Sequence, residues 1–126
     1  MAGDESIVDV EIACRGHFLI HIENKIWSAE GDCQTDREWS DLQERGQELG
    51  VPEKARHGVF LTLDGCEAKN TGFLAIAWNR VARVLDQFAN QAEPNDVKLF
   101  ARHYAKAVRR LCVVDREDTE AEYAKV

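Results

Sequence analysis

The chain has 126 residues, of which 44% are hydrophobic, and its formal net charge is −7. That length suits one domain, and the hydrophobic content is too high for a disordered protein. No stretch approaches the ~18 consecutive apolar residues of a membrane-spanning helix, and the acidic first residues do not resemble a basic targeting peptide. We therefore expect a cytoplasmic globular protein that has no membrane partner.

The charge is unevenly distributed along the chain. Residues 1–67 carry 15 acidic and 6 basic side chains (−9), whereas residues 68–112 carry 3 and 8 (+5). Residues 113–126 are acidic again, with 5 and 2 (−3). Net acidity opposes non-specific attraction to nucleic acid, because like charges repel. The basic middle segment is the local exception.

Two alternating segments near the N-terminus predict a β-hairpin. A three-residue loop around Gly16 aligns the apolar residues of the two strands, whereas a two-residue loop would mix the two faces. The aligned pairs are Cys14 with Phe18, Ile12 with Ile20, and Val10 with Ile22. We expect this apolar face to point into the core, and Glu11 to pair with His21 on the solvent side. Residues 26–28 are read as an optional third strand.

The next segment has the signals of an amphipathic helix followed by a strand. Thr35 and Glu38 match the capping box that begins a helix, and Gly50 is a natural terminator. These signals predict a helix over residues 35–49. Residues 58–63 are then apolar on both faces, which is typical of a strand inside a sheet.

Two helices are predicted in the remainder of the chain. The first begins at Asn70 or Thr71, both good N-cap residues, and ends near Gln91. The second runs from Pro94 to Val114, with one apolar side and one basic side.

The elements in order, ββ(β)αβαα, predict an α+β fold. We expect an antiparallel or mixed sheet of three to four strands packed against helices. Residues 1–114 should form a single α+β domain, and residues 115–126 an acidic, flexible tail.

One pattern has nominal metal-ligand spacing. Cys14, His17 and His21 follow a C-x2-H-x3-H pattern, and Cys33 is the candidate fourth ligand. Zinc requires four ligands that converge tetrahedrally, but the predicted hairpin separates Cys14 from His21 on opposite faces. We therefore expect no metal site and no cofactor, and reduced cysteines.

Catalytic signatures are absent from the sequence. It contains no nucleophile elbow, no metalloprotease motif and no glycine-rich phosphate loop. His57 precedes the interior strand and Cys66 follows it, so a direct dyad between them is geometrically doubtful. We expect binding rather than catalysis, and a small enzyme with a His/Cys site remains an alternative.

The basic side of the last helix is the feature that favours a specific partner. Its cations recur at helical spacing, and no acidic residue lies between Asp96 and Asp115. The candidate partner-binding cations are Lys98, Arg102, Lys106, Arg109 and Arg110. Such a surface attracts an acidic protein or a phosphate backbone. Alternatively, it only neutralises the acidic parts of the same molecule.

Nucleic acid is the less favoured partner, because that side lacks interleaved aromatic residues for base stacking. Trp39 lies on a helix with little other apolar surface, so it is either a secondary partner anchor or a residue at the edge of the core. The sequence thus predicts an acidic, protein-binding module of regulatory or inhibitor type. Association of two copies into a homodimer is a further alternative, because the two halves carry opposite charge.

Overall fold

A computed structural model describes the backbone of residues 8–26 and 34–124, and the side chains of residues 8–26 and 34–112. It confirms the predicted α+β class, with a four-stranded mixed sheet in the order β1-β2-β3-β4. Strand β1 is antiparallel to β2, and β2 is parallel to β3. The elements are β1 (Val10–Cys14), β2 (Phe18–Lys25), α1 (Gln34–Glu48), a 3-10 turn (Glu53–Ala55), β3 (Arg56–Thr62), β4 (Leu74–Ala77), α2 (Trp78–Gln91) and α3 (Asn95–Ala124).

The chain divides into two compact units, which we call the sheet unit (Met1–Ile76) and the helical unit (Ala77–Val126). The expected single domain over residues 1–114 stays a prediction. Helix α3 continues past the predicted end at Val114 to Ala124, through residues that include the strong helix formers Ala, Glu and Arg. Among the described residues, no helix is both long and apolar enough to cross a membrane.

The hairpin has the predicted register. Cys14 pairs with Phe18, Ile12 with Ile20 and Val10 with Ile22. Gly16 adopts a φ of +77°, which favours glycine because it lacks a Cβ. Only Ile26 of the optional third strand is described, and it lies in a bend. The fourth strand is β4 instead.

The predicted orientation of the hairpin was wrong. Val10, Ile12 and Phe18, on the supposed core face, are 38–46% exposed. Helix α1 packs on the opposite face, where Leu19 is fully buried and His21 is 6% exposed rather than facing solvent. The physical reason is that α1 and this face of the hairpin are complementary. Both carry buried leucines, and the charged side chains of one pair with those of the other.

The core beneath α1 is small. Leu19, Leu42, Leu49 and Val51 form one buried cluster. Helix α1 begins one residue before the predicted start, and the capping box of Thr35 and Glu38 stays a prediction. The Thr35 hydroxyl accepts a hydrogen bond from the backbone N–H of Asn70, at 3.0 Å.

The predicted helix start near Asn70 was also wrong. The Asn70 side chain accepts a hydrogen bond from the Gly72 N–H at 2.9 Å, which closes a turn, and it donates one to Asp36 at 2.9 Å, which links that turn to α1. Buried Phe73 follows, and the chain then enters β4, so α2 begins only at Trp78. A short apolar run reads equally well as a strand or a buried helix.

Candidate functional site

Helices α2 and α3 form an antiparallel hairpin, which contains all five predicted partner-binding cations. A short link joins the helices, and the Lys98 N–H donates to the carbonyl of Pro94 at the start of α3. Residues near the start of α2 pack with later residues of α3 in one cluster, as antiparallel helices require. That cluster contains Ala82, Ala105 and Val108, together with Trp78, Leu85 and Cys112.

The predicted cations lie along one side of α3, which we call the cationic face. Arg102, Lys106 and Arg110 are exposed, and Lys98 is half-buried. With the described side chains, residues 8–26 and 34–112, these four form no ion pair. No described side chain therefore neutralises their charges.

Arg109 differs from the other cations of this face. Its guanidinium forms an ion pair with Asp86 of α2 across the hairpin. The pair is about 40% exposed on both sides, so its energetic contribution is small. Arg109 therefore links the two helices and is partly neutralised, which corresponds to the self-neutralising alternative for this one residue.

The hairpin also exposes a set of large apolar side chains, which we call the apolar face. Val84 and Phe88 of α2 are 55% and 52% exposed, and Phe100 and Tyr104 of α3 are 70% and 44% exposed. The Phe100 and Tyr104 rings are neighbours, with centroids 6.3 Å apart. The helical spacing of these residues predicts that they lie on buried stripes, and their exposure contradicts that expectation.

Trp39 is part of the interior of the sheet unit. Its ring is half-buried and meets Phe73 edge-on, with centroids 5.6 Å apart. It also packs against the clusters of Leu42 and Phe60. Packing explains the presence of this tryptophan, and its role as a partner anchor stays a prediction.

A cavity of about 290 Å³ lies in the sheet unit between the β1–β2 hairpin and α1. Glu11 of β1 is one of its lining residues, and its carboxylate lies 3.1 Å from His21 Nε2 and 2.9 Å from Arg45 Nε. These contacts, led by the one to Arg45, hold the pKa of Glu11 below its usual value. The lining residues are Val8, Glu11, His21, Glu38, Asp41, Glu44, Arg45 and Glu48.

Two buried carboxyl groups lie beside this cavity. Glu23 and Glu38 are 5% and 7% exposed, and the Gln34 side-chain amide donates to both, at 2.9 and 3.1 Å. Lys25 Nζ is 3.2 Å from Glu23. Burial, and then repulsion by Glu23, raise the pKa of Glu38 to about 7. At neutral pH Glu38 is therefore divided between its protonated and its charged forms.

The chemistry open to Glu38 is limited by its burial. Its Oε2 is inaccessible and has no hydrogen-bond partner among the described residues, so a substrate would not reach that oxygen in this conformation. The sequence missed this pair. The available signal for a buried Glu23 was that it shares a face of β2 with His21 and Leu19. Glu38 was interpreted instead as part of the capping box at the start of the helix.

The nominal metal pattern is only partly described. Cys33 lies outside the described residues, and Cys14 and His21 point to opposite faces of the hairpin because strand side chains alternate. Among the residues that the structure describes, no three His, Cys, Asp or Glu side chains are grouped so that they could hold a metal ion.

His57 and Cys66 lie towards opposite ends of β3. His57 is near the start of that strand and exposed, whereas Cys66 follows its end. Burial raises the pKa of the Cys66 thiol. This opposes formation of the thiolate, which is the nucleophilic form of cysteine.

Comparison with protein-family models, with curated proteins and with solved structures found no match to this chain. Its function is therefore argued from its own residues.

Proposed function

We propose that this chain is a small protein-binding module of regulatory or inhibitor type, which docks an acidic surface of a partner protein on the cationic face of α3. The observation that carries the proposal is that Lys98, Arg102, Lys106 and Arg110 lie on one side of a helix and form no ion pair with the described side chains. No acidic residue lies between Asp96 and Asp115 to neutralise them along the helix.

The scaffold behind these cations supports the proposal. Ala82, Ala105 and Val108 are at most 6% exposed, so the two helices pack closely. A packed hairpin fixes the spacing of the charged stems and reduces the ordering cost of binding. Complementary charge also speeds encounter with an acidic partner and disfavours basic ones.

The chemistry of the partner follows from the rest of the chain. The segment 1–67 has a charge of −9, which opposes the approach of an extended polyanion more than that of a compact acidic protein surface. The described exposed aromatic side chains of α3, Phe100 and Tyr104, lie on the apolar face and not among the cations. That arrangement gives no base-stacking platform. We therefore propose a protein partner, in a cytoplasmic setting, rather than nucleic acid.

The experiment is affinity capture from the native source with a double charge-reversal variant, Arg102→Glu/Lys106→Glu. Both side chains are exposed, so we expect the far-ultraviolet circular dichroism and the unfolding midpoint to stay close to those of the wild type. We expect the variant to lose a protein that the wild type enriches.

The matched control is Arg15→Glu/Lys54→Glu, which makes the same change in net charge at exposed positions of the sheet unit. It should retain the partner. Equal loss in both variants would show that net charge alone decides binding and would contradict the proposal. Recovered material that nuclease removes, and whose binding falls steeply with salt, would favour the nucleic-acid alternative.

A further inference from the structure

The buried seam of the α2–α3 hairpin is made of small side chains. The buried residues are Ala82 and Ala89 on α2, and Ala101, Ala105 and Val108 on α3. The large side chains of the apolar face, Phe88 and Phe100 above all, lie outside this seam. Two helices can bury only one stripe between them, so a second layer is needed to cover the remaining apolar surface.

Three residues of the apolar face, Phe88, Phe100 and Tyr104, lie on a single side of the hairpin, and Val84 lies farther round α2, about 150° from its buried residues. At 100° per residue, Phe88 lies about a quarter turn from the line of Ala82 and Ala89. Phe100 and Tyr104 lie, in the same rotational sense, roughly a quarter turn from the buried residues of α3. In two antiparallel helices these directions point to the same side.

Asp86 and Arg109, which form the ion pair, lie in the opposite rotational sense, about 50° and 75° from the buried residues of their helices. The cationic face is therefore turned away from the apolar face. Docking on one leaves the other free.

We propose that the apolar face is the contact surface for a second copy of this chain, so that two hairpins form a four-helix bundle about a two-fold axis. A two-fold contact uses the same patch on both copies, and facing helices of a bundle bury such stripes. The patch itself carries no charge, and the cations are on the far side. Joining two copies therefore does not bring the two cationic faces together.

The area suits a small, concentration-dependent dimer. Aromatic side chains bury about 150–250 Å² each, so the exposed fractions of Phe88, Phe100 and Tyr104, with Val84 added, amount to roughly 400 Å² per copy. Two copies would remove roughly 800 Å² of apolar side-chain surface from water. With the surrounding rim, this approaches the ~1,200–2,000 Å² of specific interfaces.

The test is the mass of the full chain by sedimentation velocity, over about two decades of concentration from roughly 1 µM. We expect a dimer for the wild type and a monomer for Phe100→Glu, since burying an unpaired charge in the contact is costly. The matched control is Leu99→Glu, the adjacent residue, which is 57% exposed and points away from the apolar face. It should remain dimeric.

A second variant, Phe88→Ser, probes the same face from α2, so a folding defect in Phe100→Glu does not prevent the measurement. It should weaken the dimer at least tenfold. A wild type that stays monomeric at every concentration would overturn the proposal. This holds also if the reason is that another apolar surface of the same chain covers this face. A folded Phe100→Glu that stays dimeric, or a Leu99→Glu that dissociates equally, would overturn it as well.

Discussion

Glu38→Gln should make the protein more stable above neutral pH and remove much of its pH dependence near pH 6. The pKa of Glu38 is raised to about 7 from an ordinary value of 4.5, because the carboxyl group is buried and faces Glu23. The folded state therefore binds more protons than the unfolded state between those two values. The stabilisation is fully present below pH 4.5 and is lost as pH rises through about 7.

The magnitude follows from the free energy of each pKa unit, about 1.4 kcal/mol. Ionising Glu38 in the folded protein should lower the free energy of unfolding by up to about 3 kcal/mol at pH 8 relative to pH 4.5. The glutamine side chain of the Glu38→Gln variant is neutral at every pH, and its amide can donate to Glu23. The variant should therefore exceed the wild type at pH 8 by a similar amount and match it more closely near pH 5.

Urea unfolding between pH 4 and pH 8.5 measures this difference. Glu44→Gln is the matched control, since it removes a carboxyl from the same helix at an exposed position, and it should retain the wild-type slope. Below pH 4.5 the free energy of unfolding should fall in the wild type and in Glu38→Gln alike. The reason is that the pKa values of Glu11 and Asp64 are lowered in the folded protein, so the stabilisation they provide disappears when they are protonated. A wild-type stability that is flat from pH 5 to pH 8, or an identical slope in Glu38→Gln, would refute the reasoning.

Two further substitutions test the packing of the sheet unit. Gly58→Ala should lower the free energy of unfolding by about 1–3 kcal/mol, because its Cβ would lie 2.8 Å from the Phe73 ring; an unchanged denaturation midpoint would contradict this close contact. Asn70→Ala should cost about 1–2 kcal/mol, since it removes the side-chain bonds to Asp36 and the Gly72 N–H. Thr71→Ala, at the exposed neighbouring position, should cost much less, and equal losses would count against the turn.

The hairpin shows what local sequence patterns determine. Its register follows from alternation and one loop length, because a slip by one residue moves every side chain to the other face. The side that α1 covers depends instead on contacts far apart in sequence, such as Arg45 with Glu11. Alternation alone does not contain that information, so the core face was assigned wrongly.

The segment from Asn70 to Trp78 shows the same limit. Its apolar run fits a helix or a strand, and the choice depends on partners elsewhere in the chain. Asn70 bonds to α1, and Phe73 packs against Trp39. These long-range contacts favour the strand, which delays the start of α2.

The candidate surfaces divide in a similar way. The cationic face is a helical repeat within α3, so the sequence was sufficient to predict which cations share a side. The Glu23–Glu38 pair joins a strand to a helix, and the exposure of Phe88 and Phe100 depends on how the two helices pack. Neither feature follows from spacing along the chain.

The most direct test of the central claim is the dissociation constant of the captured partner, measured for the wild type and for the two double variants. We predict that Arg102→Glu/Lys106→Glu weakens binding at least tenfold, about 1.4 kcal/mol, and that Arg15→Glu/Lys54→Glu stays within about twofold of the wild type. Unchanged affinity in the folded Arg102→Glu/Lys106→Glu variant would contradict a partner site on the cationic face of α3.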